Sequence, residues 1–386
     1  MPETVVVFDP ARAGLSRLVS DQAAAGVTVA AAFLDEEAAR AYLARHPHRV
    51  IGDLPGYVPA PSSNGHTAAA TAVVTAPPVE APPPAAAPAP AAAPAAVEPA
   101  PVEARPLEPI AQRRPGAPGL VFACYSPRGG AGTSLLAATL AEVVANETDL
   151  RTLLVDLDLQ NGSQSYFFDI TQVKRHSVLS LKPQVDDVVG RTGGDAARVV
   201  TEAQGVLPEE LLLGRVFRRE RTHVVCALED PAAIDDYVDP STHMEALVQI
   251  LASNFDVVVL DLPNTVDVFT APALFRSDRI LVVTTPDVPG QIKVARMLNL
   301  VLAPMIEARS LDLQKRCFAV VNKGKAKLEV PMPIGVAAAL PDDHKFADAF
   351  IEKHQPATKL SGSPYYKAVK QLATFLGAVP AKAGKK

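Results

Sequence analysis

Downstream of residue 119 the chain repeats one pattern. Short, continuous apolar runs lie at 120–124, 152–155, 223–228, 256–260, 279–283, 317–321 and 336–340. Between most of them lie longer stretches with helical periodicity, at 135–145, 244–251, 292–306, 343–353 and 364–376. A strand that is apolar on both sides must be covered on both faces, so the pattern predicts an α/β fold with a mainly parallel sheet between two helix layers. The first 57 residues carry a smaller version: strands at 5–8 and 27–33, helices at 12–25 and 36–45. That block is about half a normal α/β domain and marginal by itself.

Residues 58–118 break the pattern. Ala, Pro and Val dominate, with Pro82, Pro83 and Pro84 in a row. Such a composition cannot bury a core and predicts an extended, disordered tether. The expected organisation is therefore an N-terminal block (1–57), a linker (58–118), a larger α/β domain (119–378) and a basic tail (379–386).

Composition narrows the function. The net charge is −5 and the pI about 5.9, which gives no global argument for nucleic acid. No run of 18 or more apolar residues occurs, and no basic-then-apolar leader opens the chain. Cys124, Cys226 and Cys317 each sit inside an apolar run, without a second Cys or His at ligand spacing. They read as buried free thiols, consistent with a reducing cytoplasm.

The chemistry concentrates after the strand at 120–124. Ser126, Pro127, Arg128, Gly129, Gly130, Ala131, Gly132, Thr133 and Ser134 lead directly into an Ala-rich helical run. Strand, Gly-rich turn and helix is the setting in which backbone N–H groups and a helix N-terminus hold phosphate. The usual loop carries Lys immediately before its Ser or Thr. Here that position is Thr133. Further polar segments follow the later strands: Asp156 and Asp158, then Asp261, then Thr285 and Asp287, then Asn322 with Pro341 and Asp342. Each alone reads as a turn former or helix cap. In this order, beyond the carboxyl ends of strands, they make one consistent nucleotide site.

RGGAGTS at 128–134, VDLDLQNG at 155–162 and DVVVLDLP at 256–263 resemble the deviant phosphate-loop ATPases of the ParA/MinD group. Within that group, residues 255–298 and 341–376 look most like the TadZ/CpaE proteins of Tad (Flp) pilus assembly. The resemblance implies ATP and Mg²⁺ as ligands. Gly129 to Gly132 would wrap the phosphates, Ser134 would bind Mg²⁺, and Asp261 would hold a metal-bound water. Asp158 would orient the attacking water, with Asp156 supporting the metal shell. Arg128 occupies the place of the family's signature lysine, which reaches across a nucleotide-sandwich homodimer. Asn322, Pro341 and Asp342 would border the adenine. The implied partners are a second copy and the pilus machinery, with the protein placed at a cell pole or the inner face of the membrane.

Thr133 departs from the pattern. A charge-assisted hydrogen bond contributes about 1.5–3 kcal/mol, so its loss weakens binding roughly 10- to 150-fold. A lost donor to transition-state charge costs about 10²–10³ in rate. The expectation is a protein in which ATP serves as dimer glue and signal, with weak or absent hydrolysis. The alternative is an active partitioning or positioning ATPase that binds DNA nonspecifically through Arg215, Arg218, Arg219 and Arg221, or through Lys323, Lys325 and Lys327; by themselves these clusters read as solvated faces. An apolar stripe at Tyr365, Val369, Leu372 and Leu376 fits a membrane-surface helix or simple core packing equally. Lys382 to Lys386 would add weak attraction to anionic lipid.

Overall fold

A computed structural model describes residues 4–8, 28–33, 49–51, 118–193, 195–202, 214–228, 230–237, 239–324 and 328–380. The N-terminal unit is described as three parallel strands in the order β2-β1-β3: β1 (Thr4–Phe8), β2 (Thr28–Phe33) and β3 (Arg49–Ile51). The third strand was not expected from the pattern. The two helices expected in this block, the tether up to residue 117 and the tail at 381–386 lie outside the described residues.

The larger unit is built on an eight-stranded sheet in the order β11-β10-β9-β4-β8-β5-β7-β6. Its strands are β4 (Leu120–Tyr125), β5 (Thr152–Asp156), β6 (Phe217–Arg219), β7 (Thr222–Val225), β8 (Val257–Asp261), β9 (Arg279–Thr284), β10 (Cys317–Asn322) and β11 (Gly335–Leu340). All neighbours pair parallel except β6, which returns antiparallel to β7 at the edge. The interior strands β4, β5 and β8 are buried at every position, as a sheet covered on both faces requires.

One face carries α1 (Thr133–Glu147), and later α10 (His344–Ile351) and α11 (Pro364–Phe375). Ala137, Ala138, Ala141 and Ala145 of α1 are fully buried. These small side chains let the helix lie close to the strands. The stripe of α11 belongs to the same core: Tyr365, Val369, Leu372 and Leu376 are all buried, and α11 packs on α1. The membrane-surface reading of that stripe is therefore corrected. Among the described residues no helix is long and apolar enough to cross a membrane.

Between β5 and β7 come α2 (Gln164–Phe167), α3 (Lys182–Thr192) and α4 (Ala196–Glu202). α5 (Pro240–Asn254) precedes β8, and α6 (Thr270–Arg276) follows it. The helix expected over 292–306 is divided. α7 (Val288–Met297) passes through a π-helical turn at Leu298–Leu302 into α8 (Ala303–Ala308), and the short α9 (Leu313–Arg316) leads into β10. Pro304 has no N–H to return to the preceding turn, and the wider turn accommodates its ring. All three cysteines are buried free thiols, as expected.

Register sets the height of the site. Asp156 pairs with Asp261, Cys124 also lies opposite Asp261, and Val321 lies opposite Thr284. The carboxyl ends of β4, β5, β8, β9 and β10 therefore open on one edge. From β4 the sheet continues through β8, β5 and β7 to one side and through β9, β10 and β11 to the other, which places a crevice beyond β4.

Candidate functional site

The loop after β4 has two residues in the left-handed region, Gly130 (φ 75°) and Gly132 (φ 86°). Gly132 is required twice over. Its φ suits glycine, and a Cβ there would lie 2.2 Å from Asn322 Nδ2. That amide is almost fully buried and donates to the Ala131 carbonyl at 2.7 Å. The end of β10 thus buttresses the loop from beneath. No side chain caps the start of α1, so its first-turn N–H groups remain available at a helix N-terminus. The loop lines a cleft of about 540 Å³ shared with Asp158, Asn322, Lys323, Pro341, Asp342 and His344. Arg128, Gly129, Gly130, Ala131, Gly132, Thr133 and Ser134 all border it.

Under the loop lies an acidic floor. Asp156 and Asp261 are buried at adjacent strand ends. Asp156 accepts the Asp158 N–H (3.1 Å) and the Gln164 N–H (2.9 Å), which fixes the turn carrying Asp158. Gln164 Nε2 donates to Asp261 Oδ2 at 2.7 Å and to the Ser134 carbonyl at 3.0 Å, tying floor to helix start. Asp261 Oδ1 is buried without a hydrogen-bond partner. Burial raises the Asp261 pKa to about 6, against the pull of Gln164 and the Ser134 hydroxyl. Burial first, and then the Asp261 charge, push Asp156 up as well. A buried carboxylate oxygen without a hydrogen-bond partner, close to the hydroxyl of a serine at a helix start, is a hard-oxygen set that fits Mg²⁺. Asp158 is only half-buried and borders the cleft, and its Oδ1 accepts the Asn161 N–H at 3.0 Å.

The rim is organised differently. Arg128 Nη1 bonds both carboxylate oxygens of Asp287 (2.6 and 2.8 Å) and the Thr285 hydroxyl (3.1 Å). Asp287 also accepts from Thr285 and caps α7 by accepting the Gly290 N–H at 2.9 Å. These hydrogen bonds, Thr285 first, hold the Asp287 carboxyl down at about 2. A Cβ at Gly290 would lie 2.5 Å from Thr285 Oγ1 and 2.7 Å from Arg128 Nη1, so the clasp needs glycine at the start of α7. Arg128 is thus turned toward the end of β9.

The structure brings together every residue expected at the site, and it adds two. Gln164 carries no motif signature; only its distance from Asp156 in a turn-rich segment pointed near it. Lys323 follows Asn322 and stood out only as part of a basic run. It adopts φ 62°, a left-handed conformation that costs a non-glycine residue about 1–2 kcal/mol, and its ammonium donates to the Gly130 carbonyl at 3.2 Å.

In the arginine cluster near the sheet edge, Arg218 and Arg221 are exposed, and the correction falls on Arg219. Arg219 is not a solvated face: it pairs with the buried Glu142 at 2.6 Å and lies 3.8 Å over the Phe168 ring. Arg215 donates to the Ser180 carbonyl, Arg218 to the Glu220 carbonyl and Arg221 to Asp149. Lys325 and Lys327 lie outside the described residues.

Residues 120–303 match the family described as AAA domain. An uncharacterised ATP-binding protein of Methanocaldococcus jannaschii is 23% identical over 265 residues, 68% of this chain and 89% of that protein. Among solved structures, a ParA family ATPase from Chlorobium tepidum superposes with a TM-score of 0.51 at 19% identity, covering 66% of this chain and 98% of that one. The septum site-determining protein MinD from Pyrococcus horikoshii, complexed with Mg-ADP, gives 0.50 at 16% identity, over 69% of this chain and 100% of the other. The larger unit has the ParA/MinD phosphate-loop NTPase fold.

Proposed function

We propose that this protein binds ATP with Mg²⁺ at the loop after β4 and dimerises across the bound nucleotide, and that occupancy rather than cleavage carries its signal. The observation that carries the reading is the loop itself: two left-handed glycines, an uncapped helix start and a partnerless Asp261 oxygen below it, with threonine where the loop's cation belongs. The Methanocaldococcus relative is named for ATP binding and the Pyrococcus neighbour for Mg-ADP, which agrees with this ligand class.

The residues divide the work. Backbone N–H groups of 129–132 and the first turn of α1 bind phosphate oxygens. Ser134 and the Asp261 carboxylate would hold Mg²⁺, the latter through water. The ion supplies charge neutralisation at the phosphate oxygens. Asp158, set at the cleft by Asp156, orients water. Pro341 and Asp342 border the base beside Asn322. Arg128 stands at the rim, within reach of a second copy once it leaves Asp287.

The finer reading is a positioning or scaffold protein of Tad pilus assembly, of TadZ/CpaE type, acting in the cytoplasm at a pole or on the inner face of the membrane. It rests on the sequence likeness at 255–298 and 341–376. The partitioning reading is less favoured, because Arg219 is held by the buried Glu142 and Arg215 by the Ser180 carbonyl, which leaves Arg218 and Arg221 as the exposed members of that cluster. Size-exclusion chromatography with light scattering, with and without ATP–Mg²⁺, tests the proposal on the wild type and Arg128→Ala. ATP should convert wild-type monomer to dimer, and Arg128→Ala should remain monomeric. Brisk Mg²⁺-dependent turnover that disappears in Asp158→Ala would overturn the occupancy reading.

A further inference from the structure

The loop lacks a cation at Thr133, and Arg128 is clasped by Asp287. Among the described basic side chains that line the cleft, Lys323 is the one whose charge already touches the loop. Its ammonium sits 3.2 Å from the Gly130 carbonyl, an interaction that leaves it further N–H donors. It comes from the carboxyl end of β10, which lies on the opposite side of β4 from β8 and its Asp261.

The turn that presents Lys323 is fixed at every step. Asn322 Oδ1 accepts the Lys323 N–H at 3.0 Å while its Nδ2 holds the Ala131 carbonyl. Lys323 itself takes φ 62°. The Gly324 N–H donates to the Leu340 carbonyl at 3.0 Å, and a Cβ at Gly324 would lie 2.3 Å from Pro286 Cγ. Lys323 is one of five non-glycine residues with positive φ among the described residues, and the one of the five that borders the phosphate loop. The same Asn322 side chain therefore shapes the phosphate loop and aims the neighbouring lysine at it.

Resting on the nucleotide reading above, we propose that Lys323 supplies from β10 the phosphate-binding cation that the loop lacks at Thr133. When nucleotide is seated, its ammonium exchanges the Gly130 carbonyl for phosphate oxygens. A lysine is suited to this because it acts as a point charge on a flexible stem and does not need a planar fork of acceptors.

Calorimetric titration with ATP–Mg²⁺ and ADP–Mg²⁺ tests the assignment on the wild type, Lys323→Asn, Lys323→Gly, Lys323→Arg, Thr133→Lys and the double variant Lys323→Asn/Thr133→Lys. Asn and Gly both tolerate the left-handed turn, so the melting temperature should hold or rise while affinity falls about 10- to 150-fold. Lys323→Arg should retain most of the binding. Restoring the loop's own lysine in the double variant should recover affinity by a larger factor than Thr133→Lys gives alone, the mark of two residues serving one role. Wild-type binding that is unchanged in Lys323→Asn and Lys323→Gly overturns the assignment while leaving the nucleotide reading intact. A wild type that takes up no ATP at millimolar concentration overturns both.

Discussion

Two aspartates flank the phosphate loop and have opposite characters. Asp261, on its floor, is buried, has one oxygen without a partner, and is raised to about 6. Asp287, on its rim, is exposed, bonded to Arg128, Thr285 and the Gly290 N–H, and lowered to about 2. The floor is left electrically incomplete and gains from an incoming cation. The rim is complete as it stands and must give something up before Arg128 can act elsewhere. Binding should therefore stabilise the floor and compete with the rim.

The largest effect should come from joining loop and floor rigidly in the wrong place. Gly132→Ala puts a Cβ against Asn322 Nδ2 at a left-handed φ, and should destabilise the fold by about 3 kcal/mol or more and abolish nucleotide uptake. Denaturant melts and calorimetry measure both. A near-neutral result would mean that the close approach of β10 to the loop does not constrain it.

Asp261→Asn tests the floor with the opposite sign. The carboxyl is raised from 3.8 to about 6 in the fold, so between those values the folded chain holds more proton than the unfolded one. Stability contributed by this group is complete below about pH 4 and is lost as the pH rises through 6. At neutral pH the ionised carboxylate costs the nucleotide-free fold on the order of 3 kcal/mol. Asp261→Asn should therefore raise the melting temperature at pH 7 and barely change it at pH 4, while Mg²⁺-dependent binding disappears. A variant less stable than wild type at pH 7 would remove the idea of an incomplete floor. Asn322→Ala, by contrast, leaves the Ala131 carbonyl without its buried partner, and should cost about 1–3 kcal/mol at any pH.

The floor was legible in the sequence; at the rim Arg128, Thr285 and Asp287 were legible as site residues, but the clasp between them was not. Asp156, Asp261 and Asn322 each end a buried strand, and the Gly-rich turn and Asp158 follow one closely, so the apolar runs located them and parallel pairing aligned them. The clasp of Arg128 on Asp287 joins residues 159 apart in sequence and depends on how the loop and the start of α7 lie against each other. Lys323 was hidden for a related reason: its role depends on a left-handed turn at a residue type that does not announce one. Elements fail in the same way. β6 is short and carries Arg218 and Arg219, so it lacks the apolar run that revealed the others, and only its antiparallel pairing with β7 makes it a strand. Arg219 read as surface charge because the buried Glu142 that receives it is 77 residues away.

The smallest stability effect and the sharpest test of the comparison come from Asp287→Ala. The ion pair is exposed and screened, so the stability cost is that of the lost cap on α7, about 0.5–2 kcal/mol. Because its carboxyl is depressed to about 2, the pair is intact above pH 4 and weakens only as the pH falls through 2, so neutral pH gives no natural release. Substitution supplies that release. If Arg128 must leave Asp287 to reach a second copy, Asp287→Ala should move ATP-dependent dimerisation to protein concentrations roughly two- to tenfold lower, as loss of a competing surface ion pair allows. Light scattering across a dilution series reads this directly, and Arg128→Ala/Asp287→Ala should show no gain. Weaker dimerisation in Asp287→Ala would instead make the clasp part of the dimer-forming surface, with Arg128 held in its working position by the acid rather than withheld by it.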